Sequence, residues 1–205
     1  MIGWLESLDI ALFRFLNTTV WHPVVDPVMV AITSQDRWYA VLFGGWLAMI
    51  IWGGRRGRLA AVMTILAVTL SDQLSSGLLK PLVGRVRPCN ALPLDEIRLL
   101  VRQSRAFSFP SSHAANSFSM ATVLTWRYPR FAPLVFAIAA IIAYSRVYVG
   151  VHYPFDSVVG ALLGFLCGKL AIHVVRSTDR WWCDRRRLTA EYRELRERVG
   201  RGGGE

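Results

Sequence analysis

Long apolar blocks constrain the fold of this 205-residue chain more than any other feature of its sequence. Three blocks, residues 38–54, 106–126 and 131–145, carry no Asp, Glu, Lys or Arg. Two others, residues 59–79 and 154–175, carry one and two of these residues. The hydrocarbon core of a bilayer is about 30 Å thick and takes about 20 mostly apolar residues as a helix. Lipid offers no partners to an open backbone, so such blocks must be helical. The sequence therefore predicts five membrane-spanning helices.

The first 34 residues predict a different relation to the membrane. Residues 1–17 mix three charged side chains with apolar ones, which is typical of an amphipathic helix lying in the membrane interface. Residues 22–34 are apolar but short, so they form either a partial sixth span or part of an interfacial hairpin. We therefore expect an all-α integral membrane bundle with five to six transmembrane helices and an N-terminal interfacial helix. Its three regions are the interfacial segment 1–34, a transmembrane core 35–176 and a basic tail 177–205.

The basic residues set the expected orientation. The formal net charge is +10, from 24 Lys and Arg against 14 Asp and Glu. In chain order, arginines cluster after the first block, between the third and fourth blocks, and in the tail, so the positive-inside rule places these segments on the cytoplasmic side. The loops at residues 80–110 and 146–156 then share the extracytoplasmic face of what we expect to be a bacterial cytoplasmic membrane. A basic chain can also bind nucleic acid, but five apolar blocks favour membrane lipids as partners and no nucleic acid.

Three polar clusters stand at the ends of these blocks, all on the predicted extracytoplasmic side. They are Lys80 with Arg87 and Pro88, then Pro110 with Ser111, Ser112 and His113, then Ser145 with Arg146, His152 and Asp156. Each has an ordinary structural explanation: cations at span ends extend to headgroups, Ser after Pro caps a helix, and Asp near a helix start balances its dipole. Ionisable groups at this depth are nonetheless costly, which favours a functional role.

Taken together, the three clusters predict a site for a phosphate group. Arg binds two phosphate oxygens at once through its planar guanidinium, and the start of a helix attracts anions. Two His side chains suit phosphoryl transfer through a covalent intermediate, because one attacks and the other protonates the leaving group. The sequence has no carboxylate cluster to hold Mg²⁺ and no Gly-rich P-loop for a nucleotide. The residues therefore predict a phosphatase with no metal and no cofactor.

The spacing of the clusters resembles a known family. The patterns Lys-x6-Arg-Pro, Pro-Ser-x-His and Ser-Arg-x5-His-x3-Asp are similar to those of the type 2 phosphatidic acid phosphatase superfamily. The ten matching positions are Lys80, Arg87, Pro88, Pro110, Ser111, His113, Ser145, Arg146, His152 and Asp156. The resemblance covers residues 80–175. It implies a membrane-embedded helical bundle that acts on lipid-linked phosphates.

The resemblance also implies a role for each site residue. His152 would be the nucleophile that becomes phosphohistidine, Asp156 would hold its ring, and His113 would protonate the leaving group. The phosphate-binding residues would be Lys80, Arg87, Ser111, Ser112 and Arg146. Ser112 stands where the family usually has Gly. Since Ser keeps the backbone N–H and adds a hydroxyl donor, we expect the reaction to survive this difference.

The motifs leave the lipid open, because they contact only the phosphate. The resemblance favours undecaprenyl pyrophosphate, converted to undecaprenyl phosphate, with phosphatidic acid, phosphatidylglycerol phosphate and lipid A phosphates as alternatives. A different class of protein also fits: a catalytically silent anion-binding or transport protein whose cations line an anion path.

The loop between the second and third blocks holds a further basic pattern. If the loop is helical, Arg98, Arg102 and Arg105 fall on one helical face, at i, i+4 and i+7. Such a face either contacts anionic headgroups or guides a pyrophosphate, or it is only a solvated surface.

Overall fold

Every regular element in the described part of the chain is helical. The computed structural model describes the backbone of residues 2–202 and the side chains of residues 3–34 and 36–192. The α-helices of this part are α1 Ile2–Arg14, α2 Asp26–Thr33, α3 Tyr39–Ile51, α4 Gly54–Asp72, α5 Lys80–Val83, α6 Pro88–Ala91, α7 Ser112–Arg127, α8 Ala132–Tyr148 and α9 Pro154–Gly202. The π-helical turns Phe15–Thr19 and Gln73–Leu79 extend α1 and α4. The all-α prediction is confirmed.

Within residues 2–202, three helical stretches are long and apolar enough to cross a membrane. They are Gly54–Ala91, Pro129–Tyr148 and Pro154–Tyr192. The predicted blocks at residues 38–54 and 106–126 also contain helices, but α3 has 13 residues and α7 has 16. At 1.5 Å per residue these helices measure about 20 and about 24 Å, less than the hydrocarbon core. The structure therefore supports an integral membrane protein with three candidate spans, and the count of five stays a prediction.

The helix α7 lies at the centre of the bundle, packed against α4, α8 and α9. Its contact with α9 is close because α9 presents a stripe of glycines, Gly160, Gly164 and Gly168, to it. A Cβ at any of the three would collide with the start or body of α7. Small residues of this kind let two backbones approach in a membrane. The opposite face of α9 carries exposed leucines at 162, 166 and 170, as expected for a lipid-facing surface.

The N-terminal helix α1 is amphipathic, and its place in the membrane interface stays a prediction. Leu5, Leu8 and Leu12 are exposed along one side, whereas Asp9 and Phe13 are buried against the bundle. The short segment at residues 22–34 forms the eight-residue α2, which is about 12 Å long and cannot span a bilayer by itself. It packs against α8.

The helical arrangement expected for Arg98, Arg102 and Arg105 is wrong. Residues 98–105 are not helical, because the side-chain amide of Asn17 forms the hydrogen bonds of the Arg98 backbone. Asn17 Oδ1 accepts from the Arg98 N–H at 2.8 Å, and Asn17 Nδ2 donates to the Arg98 carbonyl at 2.9 Å. The Arg98 guanidinium donates to Asp26 at 2.6 Å. Arg98 is thus a structural residue in this loop.

The tail predicted at residues 177–205 is not a separate element. It continues α9, which runs without a break from Pro154 to Gly202, and residues 203–205 lie outside the described part. One helix therefore extends from the predicted active-site face to the opposite end of the bundle and beyond.

Candidate active site

The start of α7 and the start of α9 are joined at one end of the bundle. Ser111 is the N-cap of α7, and its Oγ accepts from the Ala114 N–H at 3.5 Å. The N–H of Ser111 donates to the Asp156 carbonyl in the first turn of α9 at 2.9 Å. This bond and the glycine stripe bring two distant motifs, one with His113 and one with His152, to the same place.

His152 is buried, and the Nδ1 edge of its ring faces the side chains of Asp156 and Ser108. Its Nδ1 lies 3.4 Å from Asp156 Oδ2 and 3.4 Å from Ser108 Oγ. A partner on Nδ1 fixes the ring and leaves Nε2 as the nitrogen available for reaction. Burial lowers the pKa of His152 to about 3, and the charges of Arg87 and Arg146 act in the same direction. The imidazole is therefore neutral at pH 7, as a nucleophile requires.

The Asp156 carboxylate is fully partnered. Its Oδ2 accepts from the Ser108 hydroxyl and, at 2.9 Å, from the Tyr153 N–H. Its Oδ1 accepts from Arg85 Nη1 at 2.7 Å. The Arg85 guanidinium also lies 2.7 Å from Asp9 Oδ2 and stacks 4.0 Å from the centre of the Tyr153 ring. These contacts keep the buried carboxylate ionised and pointed at His152.

Lys80 reaches the site from the end of the α4 extension. Its Nζ donates to Ser112 Oγ at 2.8 Å, and that hydroxyl is 2.8 Å from Ser76 Oγ. The hydroxyl that replaces the usual Gly is therefore a direct partner of the cation. A charged donor bound to one neutral hydroxyl keeps two N–H groups for an anion.

Arg87 is held rigidly beside His152. Its Nε donates to the Ala106 carbonyl at 2.7 Å and its Nη1 to the Val151 carbonyl at 3.3 Å. The side chain is buried. Because two backbone carbonyls fix the guanidinium, the remaining N–H groups are oriented before any ligand arrives.

Arg146 and His113 meet the end of α2 on the other side of the site. Arg146 Nη1 donates to the Thr33 hydroxyl, and the His113 ring faces the Thr33 backbone, within electrostatic range of Arg146, His152 and Lys80. The Nε of Arg146 is buried and has no hydrogen-bond partner in the described structure. Buried donors are normally satisfied, so this N–H is available to a ligand.

The structure brings the predicted site residues together at one end of the bundle. It adds four residues that the sequence analysis missed: Asp9, Thr33, Arg85 and Ser108. Arg85 had a local signal, because it lies inside the Lys-x6-Arg pattern, whereas the other three contact the site only through tertiary packing. Among the described side chains, no group of three or more His, Cys, Asp or Glu is placed to hold a metal ion.

Comparison with known proteins identifies relatives of this arrangement. A lipid A 4'-phosphatase of Bacteroides thetaiotaomicron is 36% identical over 179 residues, covering 83% of this chain and 78% of that protein. A putative undecaprenyl-diphosphatase of Escherichia coli, YbjG, is 29% identical, covering 83% of this chain and 84% of that protein. The crystal structure of Aquifex aeolicus LpxE is similar with a TM-score of 0.69 at 32% identity, over 81% of this chain and 95% of that one.

The family assignment rests on a match that includes His113 and His152, the two histidines of the candidate site. The PAP2 superfamily matches residues 61–180, which contain all three polar clusters and the helices α7, α8 and the first half of α9. Since this match spans more than half of the chain, and a relative above 30% identity covers most of it, the chain belongs to the PAP2 superfamily.

Proposed function

We propose that this protein hydrolyses a lipid-linked phosphate through a phosphohistidine on His152. The observation that carries the proposal is the buried, neutral imidazole whose Nδ1 faces Asp156, with the cations of Arg87 and Arg146 near its ring. A neutral ring nitrogen beside fixed positive charges suits attack on a dianionic phosphate, because the cations offset the charge of the incoming group.

The proposed reaction has two steps. In the first, His152 Nε2 forms a bond to phosphorus while the bond from phosphorus to the lipid oxygen breaks, and His113 gives that oxygen its proton. In the second, water attacks the phosphohistidine, His113 accepts the water proton, and inorganic phosphate leaves His152. Throughout, Lys80, Arg87, Arg146 and the start of α7 at Ser111 and Ser112 hold the phosphoryl oxygens, where transition-state charge spreads.

For the lipid, we place a phosphate of lipid A ahead of undecaprenyl pyrophosphate. The relative at 36% identity and the structure with a TM-score of 0.69 are a lipid A 4'-phosphatase and an LpxE. The undecaprenyl pyrophosphate alternative is supported by the E. coli relative at 29% identity, which covers an equal share of this chain. All of these lipids present a terminal phosphate to the same cations, so substrate choice depends on the surrounding surface.

We place the site on the extracytoplasmic side of a bacterial cytoplasmic membrane. The supporting observation is the distribution of basic residues: Arg55 and Arg127 lie at the helix ends far from the site. Arg176, within α9, lies beside Trp126 at the same end of the bundle. The positive-inside rule puts that end in the cytoplasm. Five spans, including the short α3 and α7, put successive loops on alternate sides of the membrane. This alternation is consistent with the proposed orientation.

Phosphate release by the purified full-length protein tests the proposal. Lipid A, undecaprenyl pyrophosphate and phosphatidic acid are supplied in detergent with EDTA, to the unaltered protein and to His152→Ala. We expect release with EDTA present, fastest from lipid A, and a loss of at least about 1000-fold in the variant, because the covalent route is removed.

The control for this experiment is His22→Ala, since His22 is exposed and lies outside the predicted site. It removes the same side chain and keeps normal activity. Retained activity in His152→Ala would refute the proposed nucleophile. A protein that moves anions but releases no phosphate from any of the lipids would instead support the transport alternative.

A further inference from the structure

A second basic cavity lies at the end of the bundle opposite to the candidate active site. This distal cavity has a volume of about 430 Å³, is open to the surface and is lined by α7, α8 and α9. The residues that define it are Thr125 and Trp126 of α7 and Lys169, His173, Arg176 and Arg180 of α9. None of them belongs to the motifs assigned to phosphoryl transfer.

The four basic residues of the distal cavity share one face of α9. Their spacing is i, i+4, i+7 and i+11, which places side chains in one row along a helix. The described residues that line the cavity include no Asp or Glu. A second cavity at the same end differs in this respect, because its Arg55 donates to Asp179 at 2.9 Å. The distal cavity therefore carries its basic side chains without an acidic residue among the described residues that line it.

The depth of this row matches the phosphate layer of a membrane. Counted from Pro154 at the active-site end, Lys169 lies about 22 Å, Arg176 about 33 Å and Arg180 about 39 Å along the helix. The hydrocarbon core is about 30 Å thick. The row thus begins just inside the core and ends in the headgroup region of the opposite surface.

Aromatic side chains line the apolar part of the cavity. The Arg176 guanidinium lies 6.0 Å from the centre of the Trp126 ring, and Lys169 Nζ lies 5.3 Å from that of Phe165. Trp is typical of the membrane interface, where its ring contacts both headgroups and chains. The cavity therefore offers cations at its outer end and an apolar wall at its inner end.

We propose that the distal cavity binds the phosphate group of an anionic lipid in the leaflet opposite to the active site. Arg176 and Arg180 bind the phosphate oxygens, for which the guanidinium geometry is suited, and Lys169 supplies a further charge at the inner end. Trp126 packs against the part of the lipid below the phosphate. A free phosphate ion shares this chemistry but would leave the apolar wall unused, so the shape favours the lipid.

Native mass spectrometry of the full-length protein tests the proposal. The protein is titrated with phosphatidylglycerol or phosphatidylcholine, both phosphodiesters without the terminal phosphate that the active site requires. The cavity variant is Arg176→Gln with Arg180→Gln. The matched control, Arg186→Gln with Arg187→Gln, removes two charges from exposed positions of the same helix, outside the distal cavity.

We expect the unaltered protein and the control to bind one phosphatidylglycerol about tenfold more tightly than phosphatidylcholine, a difference of about 1.4 kcal/mol. The cavity variant loses this preference while it keeps normal phosphate release in detergent, which shows that it is folded. An unchanged preference in the cavity variant, or an equal loss in both variants, overturns the proposal.

A second arm separates the two sources of phosphate. Thermal unfolding is measured with and without millimolar inorganic phosphate, which also reaches the active site in every variant. An equal shift of the unfolding temperature in the control and the cavity variant shows that inorganic phosphate does not use the distal cavity. Together with the lost phosphatidylglycerol preference, it assigns the cavity to the lipid. If phosphate stabilises the control more than the cavity variant and phosphatidylglycerol shows no preference, the lipid assignment is overturned in favour of a soluble ion.

Discussion

Asp9 and Asp156 hold the same guanidinium between them. Arg85 lies 2.7 Å from Asp9 Oδ2 on one side and donates to Asp156 Oδ1 at 2.7 Å on the other. Asp9 Oδ1 also accepts from the Phe155 N–H at 2.9 Å. The N-terminal helix α1 is thereby attached to the carboxylate that faces His152. Both carboxylates are buried, so each depends on the shared cation for its charge.

Replacing Arg85 should impair both stability and catalysis. In Arg85→Met two buried carboxylates lose their cation, which costs about 3–5 kcal/mol for a buried pair. We expect a large fall in unfolding temperature and at least about a tenfold fall in kcat with a smaller change in KM, since Arg85 acts through Asp156. Arg102→Met, at an exposed position of the outer loop, is the control. An Arg85 variant with normal kcat would show that Asp156 needs no support from α1.

The pH dependence of stability should report the buried His152. Burial lowers its pKa from 6.5 to about 3 in the folded protein. The unfolded chain therefore binds a proton that the folded chain does not, and folding loses stability as the pH falls from 6.5 towards 3. We expect His152→Gln to weaken this dependence in thermal unfolding measured across that range. Identical slopes for the two proteins would mean that His152 is protonated in the folded state.

Restoring the family glycine at Ser112 should have a modest effect. Ser112→Gly removes the hydroxyl that accepts from Lys80 at 2.8 Å, a bond with a net value of about 0.5–1.5 kcal/mol. Because Lys80 then keeps all its donors for phosphate, we expect kcat/KM to stay within about tenfold of the unaltered protein. Ser112→Ala is the matched variant without the backbone freedom of Gly. A larger loss in both would make the hydroxyl part of the phosphate site.

The close contact between α7 and α9 should be sensitive to a single methyl group. A Cβ at Gly164 would collide with the backbone of Ala115, whereas one at Gly45 of α3 meets nothing within 4 Å. Overpacking of this kind costs about 1–3 kcal/mol. Gly164→Ala should therefore lower the unfolding temperature and the phosphatase activity together, and Gly45→Ala should change neither. Equal behaviour of the two variants would contradict the packing described for α9.

Hydropathy predicted the helices well, because an apolar segment in lipid has to form its backbone hydrogen bonds within the protein, and a helix does so. Each of the five apolar blocks contains a helix, and the all-α part of the predicted fold class is confirmed. The lengths were harder to predict: α7 begins only at Ser112, because Ser111 caps it, although the uncharged block starts at residue 106. Charge counting detects the absence of ionisable groups, not the start of a helix.

For the candidate site too, the sequence predicted some of the residues and missed others. Its motif residues stand at helix ends facing one side, so the sequence could group Lys80, His113 and His152 before any packing was known. Asp9, Thr33 and Ser108 reach the site through contacts between distant segments, for which no local pattern exists. The non-helical loop at residues 98–105 has a similar cause, since the buried Asn17 satisfies its backbone.

The contact between Arg146 and Thr33 makes substrate binding an exchange. In the free protein the Thr33 hydroxyl already occupies one N–H of the guanidinium, so a phosphate that uses this N–H takes the place of a neutral oxygen. A dianion forms charge-assisted bonds roughly twice as strong as those of a hydroxyl, and the exchange favours it. A neutral headgroup offers nothing better than the hydroxyl it displaces. At this N–H the end of α2 therefore competes with the ligand, and the competition favours a phosphate over an uncharged headgroup.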